Sequence, residues 1–173
     1  MIFLRHPTPA VQRGTCYGQL DIGLSDIAPN EIMRALNHLT APVRLISSPL
    51  RRCLGLAEAI RDRFGAQVEI DDRLKELNFG AWEGRKWDRI PRRESDPWAE
   101  DPLNTAPPDG ETFAALVARV EAALADLVPG TVVVTHAGPI RAARMILTGA
   151  GFEQVFAEQV PYAAPIRIER SAG

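Results

Sequence analysis

Thr131-Val132-Val133-Val134-Thr135, running into His136-Ala137-Gly138, is the stretch on which the fold turns. Its first five residues read as a strand. Pro129-Gly130 before it stops a helix, and another helix follows over roughly 139–148, ahead of Gly149 and Gly151. Met1-Ile2-Phe3-Leu4, running into Arg5-His6, has the same design. In a parallel α/β sheet, ligands bind outside the carboxyl ends of the strands. Two strands that each end in histidine can therefore face one pocket, although 130 positions separate His6 from His136. One histidine is placed to attack and the other to stabilise charge.

Outward from these strands, the chain alternates between strand-like and helix-like segments, which predicts an α/β protein: a three-layer α/β/α sandwich with a mostly parallel central sheet. Residues 1–5 form the first predicted strand. The following loop holds Pro7, Pro9, Gly14, Gly18 and Gly23, too much glycine and proline for regular structure. Ile32, Leu36 and Leu39 keep helical spacing, giving a helix over 30–39 that starts as early as Ser25. Val43-Arg44-Leu45-Ile46 is the second strand. Ser48 is placed to cap the next helix, with Pro49 at its first position, and Gly65 ends it after Phe64. Gln67 to Ile70 reads as a third strand. Phe113, Leu116, Val117, Val120, Leu124 and Leu127 make a helical stripe, and 155–169 is expected to form a hairpin at the sheet edge. Residues 85–110 differ from all of these, with five prolines, Trp87 and Trp98 among mixed charges. A long irregular stretch of this kind is usually functional, and here it reads as a cap.

The 173 residues predict one domain, 1–173, with that cap inserted. Hydrophobic residues make up 46% and charged residues 24%, an ordinary balance for a soluble protein. A net charge of −2 argues against nucleic acid as a partner. No apolar run is long enough to span a membrane, and Met1 leads into a strand rather than a basic leader, which predicts a cytoplasmic location. Cys16 and Cys53 form no CxxC pair. Neither opens a Cys-x5-Arg phosphatase loop, since Ile22 and Ala59 stand at the arginine positions. They read as reduced, partly buried thiols.

The candidate chemistry gathers at strand ends and helix starts. Arg5 puts a fixed cation beside His6. Arg51 and Arg52 fall in the first turn of a predicted helix, where cations oppose the dipole. That points to an anion shared by arginine and the helix start, with one of the two arginines merely solvated. Glu76 and Glu83 lie in the glycine-punctuated segment Leu74-Lys75-Glu76-Leu77-Asn78-Phe79-Gly80-Ala81-Trp82-Glu83-Gly84, where Glu83 reads equally well as a solvated loop residue. His136 stands at a helix start, where free N–H groups favour an anion.

Taken together and in order, these residues resemble the histidine phosphatase superfamily, the phosphoglycerate-mutase-like phosphatases and mutases. Leu4-Arg5-His6 is similar to its Leu-Arg-His-Gly motif. Ser47-Ser48-Pro49-Leu50-Arg51-Arg52 resembles its Ser-Ser-Pro-Leu-x-Arg segment, which makes Arg52 the phosphate-binding arginine. Leu74-x-Glu76 through Gly80-x-Trp82-Glu83-Gly84 is similar to its acid/base loop, with Glu76 at the proton-donor position. Asp109-Gly110-Glu111-Thr112 resembles its Gly-Glu-Ser/Thr motif, and Val134-Thr135-His136 matches the second histidine. Pro7 and Ala137 depart from the glycines common after the two histidines, and Pro7 removes a backbone N–H. Cys16-Tyr17-Gly18-Gln19-Leu20-Asp21 is similar to a segment of the α-ribazole phosphatase branch.

The resemblance implies a phosphoglycerate-mutase-like fold and a metal-independent phosphomonoesterase acting on a small phosphorylated metabolite, α-ribazole 5′-phosphate being one candidate. His6, with an unperturbed pKa of about 6.5, would attack phosphorus and carry a phosphohistidine. Arg5 and Arg52 would bind the non-bridging oxygens, with His136, cationic beside phosphate, adding a donor. Glu76 would protonate the leaving oxygen and then activate water. No cofactor is implied. His6, His38 and His136 lack H-x-H or HExxH spacing, and His38 reads as structural or exposed. In the cap, Arg85, Lys86, Arg89, Arg92 and Arg93 would attract an anion and Trp87 and Trp98 stack on a ring. The competing reading is a solvated charge run with tryptophans packed on the core. A mutase and a non-catalytic phospholigand-binding module are the alternative functions, and oligomeric state is left open.

Overall fold

The structure, a computed structural model, describes residues 1–171. Its sheet is built from β1 (Ile2–Arg5), β2 (Arg44–Ser47), β3 (Val68–Ile70), β4 (Thr131–Thr135) and β5 (Pro165–Arg167), in the order β3-β2-β4-β1-β5. The first four are mutually parallel, and β5 runs antiparallel along β1. Every residue of β4 is buried, as befits the middle of the sheet. The helices are α1 (Ala28–Asn37), α2 (Arg51–Phe64), α3 (Arg92–Glu100), α4 (Phe113–Leu124), α5 (Ala137–Thr148) and α6 (Phe152–Ala157).

Side chains alternate across the strands, and this sorts the core into two layers. Leu4, Leu45, Val132 and Val134 pack with Ala35 of α1 and Leu56 and Ile60 of α2. Phe3, Ile46 and Val133 pack on the other face with Leu116 and Val120 of α4 and Ile140 and Leu147 of α5. Helices thus cover both faces, and the α/β/α architecture read from the sequence is the one observed.

Register positions the site. Arg5 pairs with Thr135 across β1 and β4, and the His6 N–H donates to the Thr135 carbonyl at 2.9 Å. His6 and His136 are therefore the next residues out of two adjacent strands, at their carboxyl ends.

Three local expectations are corrected. The helix after β2 begins at Arg51, with Leu50 in extended geometry before it, so Pro49 is not its first residue and Ser48 does not cap it. Its first N–H is met from outside instead, Arg51 N donating to Asp21 Oδ1 at 2.7 Å. Gly65, at φ 71°, ends the helix in the left-handed conformation that glycine adopts without cost. The segment 155–169 is not a hairpin: it holds the end of α6 and the single edge strand β5, whose partner is β1 rather than a neighbour in sequence. Residues 85–110 are less irregular than expected, containing a 3₁₀ turn at Trp87–Arg89 and α3.

Candidate active site

His6 is fully buried, and its Nδ1 lies 2.7 Å from the Pro7 carbonyl oxygen. A carbonyl only accepts, so Nδ1 carries the proton and the lone pair is on Nε2. Pro7 therefore gives up an N–H but sets the histidine tautomer with its carbonyl. Burial, and after it the Arg52 charge, pushes the imidazole well below the ordinary histidine value, so His6 is neutral. The His136 ring stands edge-on to it with centroids 5.2 Å apart.

His136 is also fully buried, with Nε2 at 2.9 Å from Ser48 Oγ and 3.4 Å from Cys53 Sγ. This is where Ser48 is spent: it holds an imidazole rather than capping a helix. Burial and the neighbouring His6, Arg52 and Arg5 hold His136 well below the usual value, so it is neutral in this arrangement, not cationic. Burial raises the Cys53 thiol far above its normal range, and it stays protonated, as a structural cysteine would.

The two arginines in the helix start separate cleanly. Arg51 is exposed and paired with Asp21 at 3.1 Å. Arg52 is fully buried, and its Nη1 and Nη2 donate to the Leu20 and Gly18 carbonyls at 2.6 and 2.5 Å. The Cys16–Asp21 segment singled out in the sequence is thus the cradle of this arginine pair. Arg5 donates from Nη1 to the Val160 carbonyl at 2.9 Å, with its guanidinium 3.8 Å above the Tyr162 ring.

Buried side-chain polar atoms nearly always have a partner. Among the described residues five have none in the protein, and three of these are Arg5 Nε, His6 Nε2 and Arg52 Nε. Two donors and one lone pair are thus buried without a partner, and the charges of Arg52 and Arg5 both act on the His6 ring. No group of three or more histidine, cysteine, aspartate or glutamate side chains with metal-holding geometry occurs among the described residues.

Glu76 closes the site from the side. Its Oε1 accepts from Leu77 N at 2.9 Å and Gly138 N at 3.0 Å, while Oε2 has only a 3.4 Å contact to Gly138 N. The anion at the start of α5 is thus an internal carboxylate. A Cβ on residue 138 would collide with Oε1, so glycine is what admits this approach. Glu83 is no solvated loop residue, since its Oε1 accepts from Gln19 N and Phe79 N at 2.9 and 3.0 Å and ties two loops together.

Sequence reasoning passed over Tyr17 and Tyr162, whose rings lie 6.4 and 5.5 Å from that of His6. It also missed Arg119, which donates to the carbonyls of Arg73, Lys75 and Glu76 and pairs with Glu111 at 2.6 Å. Glu111 in turn accepts from Asn78 N, so the Gly-Glu-Thr motif clamps the loop that carries Glu76. Arg119 stands 43 positions from Glu76, in no readable pattern. The motif around Glu111 was the only signal.

Beyond Glu76 a pocket opens, lined by Phe79, Trp98, Phe113, Arg141 and Phe156. Trp87 and Tyr17 line a second pocket that also borders Glu76. The tryptophans both pack and line pockets: Trp87 stacks on Trp98 with centroids 6.0 Å apart, and Trp82 meets Trp98 edge-on. The expected cap cations do otherwise. Arg85 and Lys86 donate to the Arg89 and Arg13 carbonyls, and Arg89, Arg92 and Arg93 are exposed. His38 is exposed at the end of α1. No helix is long and apolar enough to cross a membrane among the described residues.

Comparison with known proteins bears on this arrangement. The family model of the histidine phosphatase superfamily (branch 1) matches residues 1–173. A Hydrogenobacter thermophilus protein provisionally named phosphoserine phosphatase 2 is 30% identical over 157 residues, 84% of this chain and 76% of its own length. The glucosyl-3-phosphoglycerate phosphatase of Mycolicibacterium vanbaalenii is 39% identical over 87 residues, 49% of this chain and 39% of that protein. The chain thus spans three quarters of the first relative but well under half of the second. A mycobacterial glucosyl-3-phosphoglycerate phosphatase in complex with VO3 superposes with a TM-score of 0.80 at 26% identity, over 99% of this chain and 98% of that one. The α-ribazole phosphatase of Shigella flexneri shares the fold at a TM-score of 0.86 and 21% identity, over 98% and 95% of the two chains. The chain belongs to the histidine phosphatase superfamily, branch 1, as a phosphatase of the hydrolase class.

Proposed function

We propose that the protein is a metal-independent phosphomonoesterase that hydrolyses a small phosphorylated metabolite through a phosphohistidine on His6. The observation that carries this reading is that Arg5 Nε, Arg52 Nε and His6 Nε2 are all buried without a partner, with both arginine charges acting on His6. Two guanidinium donors bind non-bridging oxygens while a neutral, correctly tautomeric imidazole faces phosphorus. Positive charge comes from the arginines, and no step calls for a metal. A phosphate dianion brought against His136 counters the burial and the neighbouring positive charge that keep this ring neutral, and a protonated His136 then donates where charge spreads. Glu76, anchored through Oε1, has Oε2 free to deliver a proton to the leaving oxygen and to take one from water. Residues 85–110 act as the cap that chooses the leaving group, chiefly through Trp87 and Trp98.

α-Ribazole 5′-phosphate is one candidate substrate. Phosphoserine and glucosyl-3-phosphoglycerate are others, suggested by the names of the relatives. Turnover of p-nitrophenyl phosphate in excess chelator tests the class of reaction. Wild type is expected to release free phosphate under those conditions, and His6→Ala to lose at least about 10³-fold in kcat. Equal rates for the two proteins would sink the enzyme reading, and rates abolished by chelator would sink metal independence. Phosphoglycerate interconversion in place of free phosphate would make it a mutase.

A further inference from the structure

One cation near the site takes no part in phosphate binding. Arg141 lies one turn into α5, and with about 1.5 Å of rise per residue its Cα sits roughly 7 Å along the axis from His136. It shares a helix face with Gly138, whose N–H holds Glu76, and lines the same pocket. Its Nε and Nη2 donate to the Val155 and Glu158 carbonyls, at 3.2 and 3.5 Å, which fixes α6 against α5. Those are neutral acceptors. No carboxylate lies within ion-pair distance of Arg141 among the described residues, and the charge that favours it through space is Glu76. A half-buried guanidinium without a counter-ion is costly, and burial does depress it below the ordinary arginine value.

Apart from Arg141 and the Glu76 carboxylate at its inner end, the pocket is lined by apolar and aromatic residues. The Phe156 ring is 39% exposed, with the Arg141 guanidinium 4.7 Å above it. Phe113 and Phe152 pack behind it with centroids 5.0 and 4.3 Å away, and Trp98 and Phe79 face it across the opening. An exposed aromatic wall beside an uncompensated planar cation is a shape for a flat or apolar body bearing an acid.

We propose that the substrate's leaving group is an apolar or aromatic body carrying a carboxylate, which pairs with Arg141 while the phosphoryl group lies against His6. This rests on the phosphatase reading but names what that reading leaves open. Arg141 is then a specificity-determining residue, and its counter-ion arrives with the substrate.

Three esters of the same skeleton test it: phenyl phosphate, 4-carboxyphenyl phosphate and the neutral isostere 4-carbamoylphenyl phosphate, with 3-carboxyphenyl phosphate to allow for geometry. Wild type is expected to prefer the better carboxylate over the carbamoyl ester by about tenfold or more in kcat/KM, the scale of a charge-assisted hydrogen bond. In Arg141→Met that ratio is expected to fall close to one. A wild-type ratio of one or less overturns the assignment without needing any variant to fold. A ratio retained in folded Arg141→Met overturns it as well. Calorimetry with 4-carboxyphenylphosphonate and phenylphosphonate separates the two levels of the claim. A carboxylate preference in binding with no ester hydrolysed leaves Arg141 in its role and removes the phosphatase. Hydrolysis of all the esters with no carboxylate preference does the reverse.

Discussion

The two ends of this site, proposed to hold the phosphate and the leaving group, are made of different material. At the first, His6, Arg52 and His136 are fully buried, issue from strand ends or a helix first turn, and are held by backbone carbonyls or by Ser48. At the second, Glu76, Trp98, Arg141 and Phe156 are partly exposed and come from a loop, from α3, from α5 and from a six-residue helix. Sheet register fixes the first end to within the tolerance of a hydrogen bond. Packing of aromatic side chains shapes the second. Charge at the first end must be aligned in advance of the reaction, which needs rigid supports, whereas a pocket that selects an organic group works by area and shape.

Arg52→Lys strikes at the rigid end. Lysine keeps the charge and loses the fork that binds Gly18 and Leu20 while presenting Nε, so kcat/KM on p-nitrophenyl phosphate is expected to fall about 10²–10³-fold in protein that still folds by circular dichroism. A loss under tenfold would mean that Arg52 is only a structural tie. Glu76→Gln lies on the boundary between the ends. It is expected to cost about 10²-fold in kcat on phenyl phosphate and clearly less on p-nitrophenyl phosphate, whose leaving group needs little protonation. Equal losses on both would deny Glu76 the proton-donor role.

The rigid end should also set the acid limit of stability. His6 and His136 are both held well below their unfolded value, so below about pH 6.5 the unfolded chain binds protons that the folded chain refuses. Stability from these two groups is complete above that pH. It is lost as pH falls, by about 1.4 kcal/mol per unit for each ring. Urea midpoints between pH 7 and 5 check the slope, and His6→Asn should remove roughly half of it. A wild-type profile flat over that range would contradict two buried neutral imidazoles. The smallest effect is expected at the adaptable end. Trp98→Ala should raise KM for phenyl phosphate about three- to tenfold, more than it lowers kcat, from the loss of aromatic contact. A change confined to kcat would place Trp98 outside the leaving-group pocket.

Much of the rigid end could be read in the sequence, because its marks are local. Apolar runs ending in His6 and His136, an arginine just past Ser48-Pro49, and proline or glycine at each boundary all lie within a few residues of what they define. The adaptable end left few such marks. Arg119 and Arg141 look like ordinary solvent-side helix residues until α4 and α5 are placed against the loop and against α6. Ser48 illustrates the limit well, since its chemistry and position suit a helix cap, yet an imidazole 88 positions away claims its hydroxyl. The edge strand failed for a related reason. Pro165–Arg167 is too short to show alternation and is a strand only because β1 offers an unpaired edge.

The strands β1–β4, the helices α1, α2, α4 and α5 and their order came from periodicity and punctuation, properties of neighbouring residues, while the resemblance of the ordered motifs to the superfamily singled out His6, Arg5, Arg52, Glu76 and His136 as candidates. Which arginine is buried, which nitrogen of His6 is free, which anion occupies the start of α5 and which cation lacks a counter-ion came only with the tertiary structure. Those are questions of which polar atom meets which, and a hydrogen bond resolves them over about 3 Å between residues that the chain keeps tens of positions apart.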